Sequence, residues 1–185
     1  MRYVYVPVLV AVLSLSACAS KTSGTTTTTN ATAAHSGGKL YVQSPALYDK
    51  KAVFKTDASV RAECMIDKKL SDSVQEQAKR RFEVVPSKTL VGAGNHKALS
   101  LTITEVEGLN GGPYTGFKTI ALRGTLTQAG KVIGSFSAMR RSGGGAFIGY
   151  KGTCAIFERD TDSLGEDIAE WLAKPSMNAK LGDLP

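Results

Sequence analysis

Apolar and polar residues alternate most regularly over residues 99–104, where Leu99, Leu101 and Ile103 interleave with Ser100, Thr102 and Thr104. A period of two is that of a strand with one buried face. Residues 118–127 and 131–140 flank Gln128-Ala129-Gly130 and predict a hairpin. Parity decides its turn. A two-residue loop sets Leu126 opposite Ile133 and Leu122 opposite Ser137. A three-residue loop with Gly130 in the left-handed position sets Leu126 opposite Val132, Leu122 opposite Phe136, Ile120 opposite Ala138 and Gly124 opposite Gly134. Only the second register collects the apolar residues on one face, so it is the one expected. The paired glycines would let a helix lie close to the sheet. The other face then carries Thr119, Arg123, Thr125, Ser135 and Ser137, a polar surface open to solvent or a partner.

Two stretches follow the helical period instead. After a cap at Asp57 or Ser59, Val60, Cys64, Leu70, Val74, Ala78 and Phe82 share one face at three-, four- and six-residue steps, and the helix must end before Pro86. Cys154, Phe157, Leu164, Ile168 and Leu172, with Trp171 beside them, form a second stripe that Pro175 stops. Leu40-Tyr41-Val42 and Ala52-Val53-Phe54 have strand character on either side of Ser44-Pro45. Gly108, Gly111, Gly112 and Pro113 mark a loop. The tail, residues 176–185, is expected to be loosely packed. Two helices with one apolar stripe each pack most economically on one face of a sheet. The expected fold is therefore α+β: an antiparallel sheet of about four to five strands with two amphipathic helices on one face.

The amino terminus has a different pattern. After Arg2 comes an apolar run, residues 4–13, and then Leu15-Ser16-Ala17-Cys18. The run is shorter than the roughly 20 residues that span a bilayer, and it suits a signal peptide. Small residues followed by cysteine after such a run resemble the cleavage signature of bacterial lipoproteins. The resemblance implies export, removal of residues 1–17 and acylation of Cys18; Ala19 in place of aspartate implies passage to the outer membrane. Residues 18–39, with threonine at each of positions 25–29, hold almost nothing large and apolar and are expected to be a flexible tether. About 20 such residues reach roughly 25 Å in root-mean-square terms. A single periplasmic domain is expected over residues 40–175. Its order of elements resembles periplasmic lipoproteins of the ABC-transport-auxiliary and TolB-N-terminal-like kind, which implies accessory work on a partner in an envelope machine.

Charge and cysteines refine this picture. The mature chain of 168 residues carries 22 Lys+Arg against 16 Asp+Glu, a basic balance that suits acidic partners or lipid phosphates as well as solubility. A basic stripe interleaved with aromatics is lacking, so nucleic acid is not an expected partner. In the oxidising compartment that the lipoprotein resemblance implies, Cys64 and Cys154, both on apolar helix faces near the N-terminal ends, are expected to pair as a disulfide; two buried free thiols are the alternative.

Candidate chemistry is sparse. The segment from Ser142 to Gly152 is glycine-rich but lacks the phosphate-loop spacing. Arg140, Arg141 and Lys151 flank it ahead of a helix N-terminus, which makes an anion or partner contact possible there. His35 falls in the tether and His96 in a loop beside Asn95, with no ligand spacing, so no metal and no cofactor are expected. No G-x-S-x-G is present, and Glu105/Glu107 and Asp160/Asp162 read as solvated carboxylates. The function expected is that of a non-enzymatic outer-membrane lipoprotein facing the periplasm, with a binder of peptidoglycan or lipopolysaccharide as the alternative.

Overall fold

The structure is a computed structural model and describes residues 36–108, 116–143 and 152–184. Seven strands form one mixed sheet: β1 (Lys39–Gln43), β2 (Leu47–Lys55), β3 (Glu83–Ser87), β4 (Lys97–Glu107), β5 (Phe117–Gln128), β6 (Lys131–Gly143) and β7 (Ala179–Gly182). The helices are α1 (Ala58–Cys64), α2 (Ile66–Ala78) and α3 (Thr153–Ala173). The sheet runs β3-β1-β4-β5-β6-β7, and β2 follows β1 along the same edge of β4.

The α+β class holds, but the sheet expected to be antiparallel with four to five strands is larger and mixed. Only the β4–β5 and β5–β6 pairs are antiparallel. The excess comes from two crossovers. α1 and α2 carry the chain from β2 to β3, which lies parallel to β1, and α3 carries it from β6 to β7, which lies parallel to β6. A crossover of helical length is the connection that parallel neighbours require. The tail expected to be loose therefore holds an edge strand: Ala179 to Gly182 pair with Phe136 to Met139.

Three local expectations also change. The first helix is two helices, because Met65 adopts φ 47° and breaks the run. The six-residue step between Cys64 and Leu70 is the trace of that break, and Ile66 supplies the missing apolar contact from the new helix. Cys64 thus closes α1 instead of opening a long helix. The hairpin turn is the two-residue one, with Ala129 at φ 50° and Gly130 at φ 75°. Gln128 pairs with Lys131 and Thr127 with Val132, and then the register shifts, so that Leu126 faces Gly134, Gly124 faces Phe136 and Leu122 faces Ala138. A bulge at Ile133 restores the parity that a three-residue loop would have given. The same side chains share a face, but every pairing differs from the expected one.

All the helices lie on one side. Leu40, Val42, Leu99, Leu101, Ile103, Ile120, Leu122, Leu126, Phe136 and Ala138 from the sheet meet Val60, Leu70, Val74, Phe157, Leu164, Ile168 and Trp171 from the helices in one buried cluster. Close approach is bought by two glycines. A Cβ on Gly134 would stand 2.7 Å from the Trp171 ring, and one on Gly165 would stand 2.9 Å from the backbone of Ser73, where α2 and α3 cross. Cys64 and Cys154 form a disulfide with Cα atoms 4.9 Å apart, which ties the end of α1 to the first turn of α3. No helix among the described residues is long and apolar enough to cross a membrane.

Candidate functional site

Because the helices occupy one side, the register rows of the other side are free of them. One row runs Leu47, Thr102, Arg123, Ser137 and Lys180 across five strands, and the next holds Ser100, Thr125 and Ser135. Hydroxyl side chains fill the centre of this face because a half-buried sheet needs polar residues at alternate positions and β-branched threonine fits the pleat. Ser100 and Thr127 hydroxyls donate to backbone carbonyls of neighbouring strands, of Thr125 and Ala98 respectively. Arg123 is held by an ion pair with Asp49 of β2.

At the β7 edge this face deepens into a groove of about 530 Å³, lined by Arg123, Thr125, Ser135, Ser137, Asn178 and Lys180 among others. The Ser135 hydroxyl donates to the side-chain carbonyl of Asn178 and accepts from the Asn178 backbone N–H at 2.9 Å, fixing the wall that precedes β7. The groove offers hydroxyls, an amide and two cationic side chains, a donor set suited to a polar or anionic surface. It exists only because the tail returns to the sheet as β7. Sequence periodicity gave no signal for it, since four residues are too few to display a pattern.

The candidate anion site does not assemble as expected. Arg140 and Arg141 project to opposite faces, as adjacent strand residues must. Arg140 turns toward α3, where Nε and Nη2 donate to the Asp167 carboxylate at 2.9 and 2.6 Å and Nη1 reaches Asp183 at 3.2 Å. It is a clamp between β6, α3 and the end of β7. Arg141 lies on the helix-free face with its guanidinium 4.2 Å from the centre of the Phe117 ring. Lys151 and the acylation candidate Cys18 lie outside the described residues. His96 stacks on Tyr41 at 6.0 Å, and no group of three metal-ligating side chains occurs among the described residues.

The inner face holds a carboxylate that the sequence placed among solvated pairs. Asp160 of α3 is 1% exposed, unlike Asp162, which is in solvent. The Ser142 hydroxyl donates to its Oδ1, while Oδ2 has no hydrogen-bond partner among the described residues. Burial pushes its pKa up from 3.8 to about 6, against the opposing pull of the Ser142 hydrogen bond and of Arg159. Lys118, which pairs in register with Ser142, is also fully buried, and burial lowers its pKa.

No known family model and no curated protein matches this sequence. Solved structures give distant matches. The protein XCC0632 of Xanthomonas campestris, of family DUF330, is 14% identical over 76% of this chain and 88% of its own, with a TM-score of 0.48. The PelC dodecamer of Paraburkholderia phytofirmans matches at 10% identity over 72% and 89%, with a TM-score of 0.42. Lipoprotein GNA1162 of Neisseria meningitidis matches at 15% over 64% and 90%, with a TM-score of 0.36. Similarity at this level assigns neither a family nor a function.

Proposed function

We propose that this chain is a non-enzymatic lipoprotein, acylated at Cys18 and held on the periplasmic leaflet of the outer membrane, that serves as an accessory, partner-binding subunit of an envelope machine. The observation that carries the reading is the sheet face without helices. It presents Ser100, Thr102, Thr125, Ser135 and Ser137 around Arg123 and Lys180, while the apolar core lies wholly on the other side. A hydroxyl-rich face that runs across five strands suits contact with another folded surface better than capture of a small molecule.

Two measurements test it. Labelled palmitate is expected to enter the chain and to be lost in Cys18→Ala, which then leaves the membrane fraction. Cross-linking in intact cells followed by pull-down is expected to recover a stoichiometric protein. The groove at the β7 edge favours a second reading, a binder of an anionic envelope polymer such as peptidoglycan or lipopolysaccharide; recovery of glycan or lipid without protein would replace the first reading with it.

A further inference from the structure

The mature chain divides its charge between its layers. Helices α1, α2 and α3 carry 4 basic and 10 acidic side chains, whereas the rest of residues 18–185 carries 18 basic and 6 acidic, net −6 against net +12. Much of that basic excess is neutralised locally: Lys39 pairs with Glu83, Lys55 with Glu105 and Glu107, Arg123 with Asp49, and Arg140 with Asp167 and Asp183. Among the described residues, Lys50 and Lys51 form no ion pair. Both are exposed, and the carboxylates nearest in sequence and register, Asp49, Glu105 and Glu107, are already engaged.

These two lysines sit on an unusual piece of strand. Tyr48 pairs with Ile103 and Val53 with Glu105, so four residues of β2, Asp49 to Ala52, stand against one of β4. The excursion is braced at its base, where the Lys51 backbone N–H donates to Asp49 Oδ1 at 2.8 Å and Asp49 holds Arg123. On either side of it, Leu47 and Val53 are 53% and 47% exposed, whereas Phe54 turns to the helix side under Arg61, and among the described residues β2 pairs only with β4. Two uncompensated lysines on a braced excursion, flanked by the exposed aliphatic side chains of Leu47 and Val53, combine the two attractions of an interfacial anchor: headgroup charge and shallow apolar burial.

We infer that the Asp49–Ala52 excursion of β2, with Leu47 and Val53, is a membrane-contact patch for anionic phospholipid. The inference deepens the reading of a chain anchored at Cys18. The excursion lies roughly 25 Å along β4 from the start of β1, by strand rise, and a tether of the flexible kind that the composition of residues 18–39 predicts would have a root-mean-square reach of roughly the same length. Anchor and patch can therefore occupy one bilayer. The body then stands with its β2 edge on lipid and the β7 groove, at the far edge of the sheet, toward the periplasm.

The test is independent of acylation. The mature chain from residue 18, with Cys18→Ser, is sedimented with vesicles of phosphatidylcholine alone or containing about one-third phosphatidylglycerol. Binding is expected only to the anionic vesicles and is expected to fall with added salt. Lys50→Gln/Lys51→Gln lowers the partition coefficient by roughly 30-fold, from about 1 kcal/mol per lysine at an anionic surface. Val53→Asp lowers it again, and the charge-matched control, Lys68→Gln on α2 with Lys79→Gln at its C-cap, leaves it unchanged. Equal binding to both vesicle types, equal loss in the control, or no effect of the β2 variants overturns the inference. So does loss of a cross-linked protein in the β2 variants with vesicle binding intact, which would make the patch a protein contact. Failure of palmitate labelling would sink the anchor and leave the vesicle result standing, so the two failures are distinguishable.

Discussion

At Asp160, burial and hydrogen bonding pull in opposite directions, and burial wins: the carboxyl titrates at about 6 instead of 3.8 despite the donor from Ser142. The sign follows from linkage. A pKa raised on folding means that the folded state holds the proton more tightly, so the contribution to stability is complete below about pH 4 and is lost as pH rises through about 6. The shift corresponds to about 3 kcal/mol lost by pH 7. Asp160→Asn removes the ionisation, so it is expected to raise Tm at pH 7.5 and to leave it nearly unchanged at pH 4. A variant that melts below the wild type at pH 7.5 would show instead that the charged form is stabilised where it lies. Sequence reasoning read Asp160 and Asp162 as one exposed pair. The helical period separates them by 200° of rotation, and only the position of α3 over Ser142 decides which of the two is buried.

Elements were legible where they were long and amphipathic. Leu99, Leu101 and Ile103 of β4, the shared face of β5 and β6, and the stripe of α3 all follow from period alone, and the core cluster contains them. Short parallel strands were not legible: β3 is five residues with a proline and β7 is four. Their pairing is fixed by the crossovers and not by their own pattern. The hairpin turn failed for a chemical reason. A two-residue turn with φ 50° and 75° wants Asn-Gly, and Ala129-Gly130 lacks that signature. Ala129→Asn is therefore expected to stabilise the fold by about 0.5–1 kcal/mol, read as a higher denaturant midpoint at unchanged slope. A lower midpoint would contradict the two-residue turn. The disulfide acts between elements, closing a sequence separation of 90 residues. By loop entropy it contributes about 4 kcal/mol, so Cys64→Ser/Cys154→Ser should unfold at markedly lower denaturant, and reductant should lower the wild type to match it. If reductant leaves the wild-type midpoint unchanged, the two thiols are not joined.

For the molecule as a whole, the sequence signalled a polar face on β5 and β6 but not its extent. The face gains Thr102 and Ser100 from β4 and Lys180 from β7 only when the strands assemble, and the groove at Asn178 depends on a tail whose sequence predicts only loose packing. Arg140 was equally opaque: beside Arg141 it looked like half of an anion site, yet alternation turns it inward to clamp Asp167. The layered charge points the same way as the geometry, with acidic helices on one side and a basic, hydroxyl-bearing sheet with its loops on the other. The measurement that bears most directly on the account is site-specific photo-cross-linking in intact cells, with the probe at Ser137 on the helix-free face and, separately, at Glu166 on α3. A discrete protein adduct from Ser137 and none from Glu166 is the predicted result. Adducts from Glu166 alone, or none from either site, would contradict the claim that the open sheet face is where this protein meets its partner.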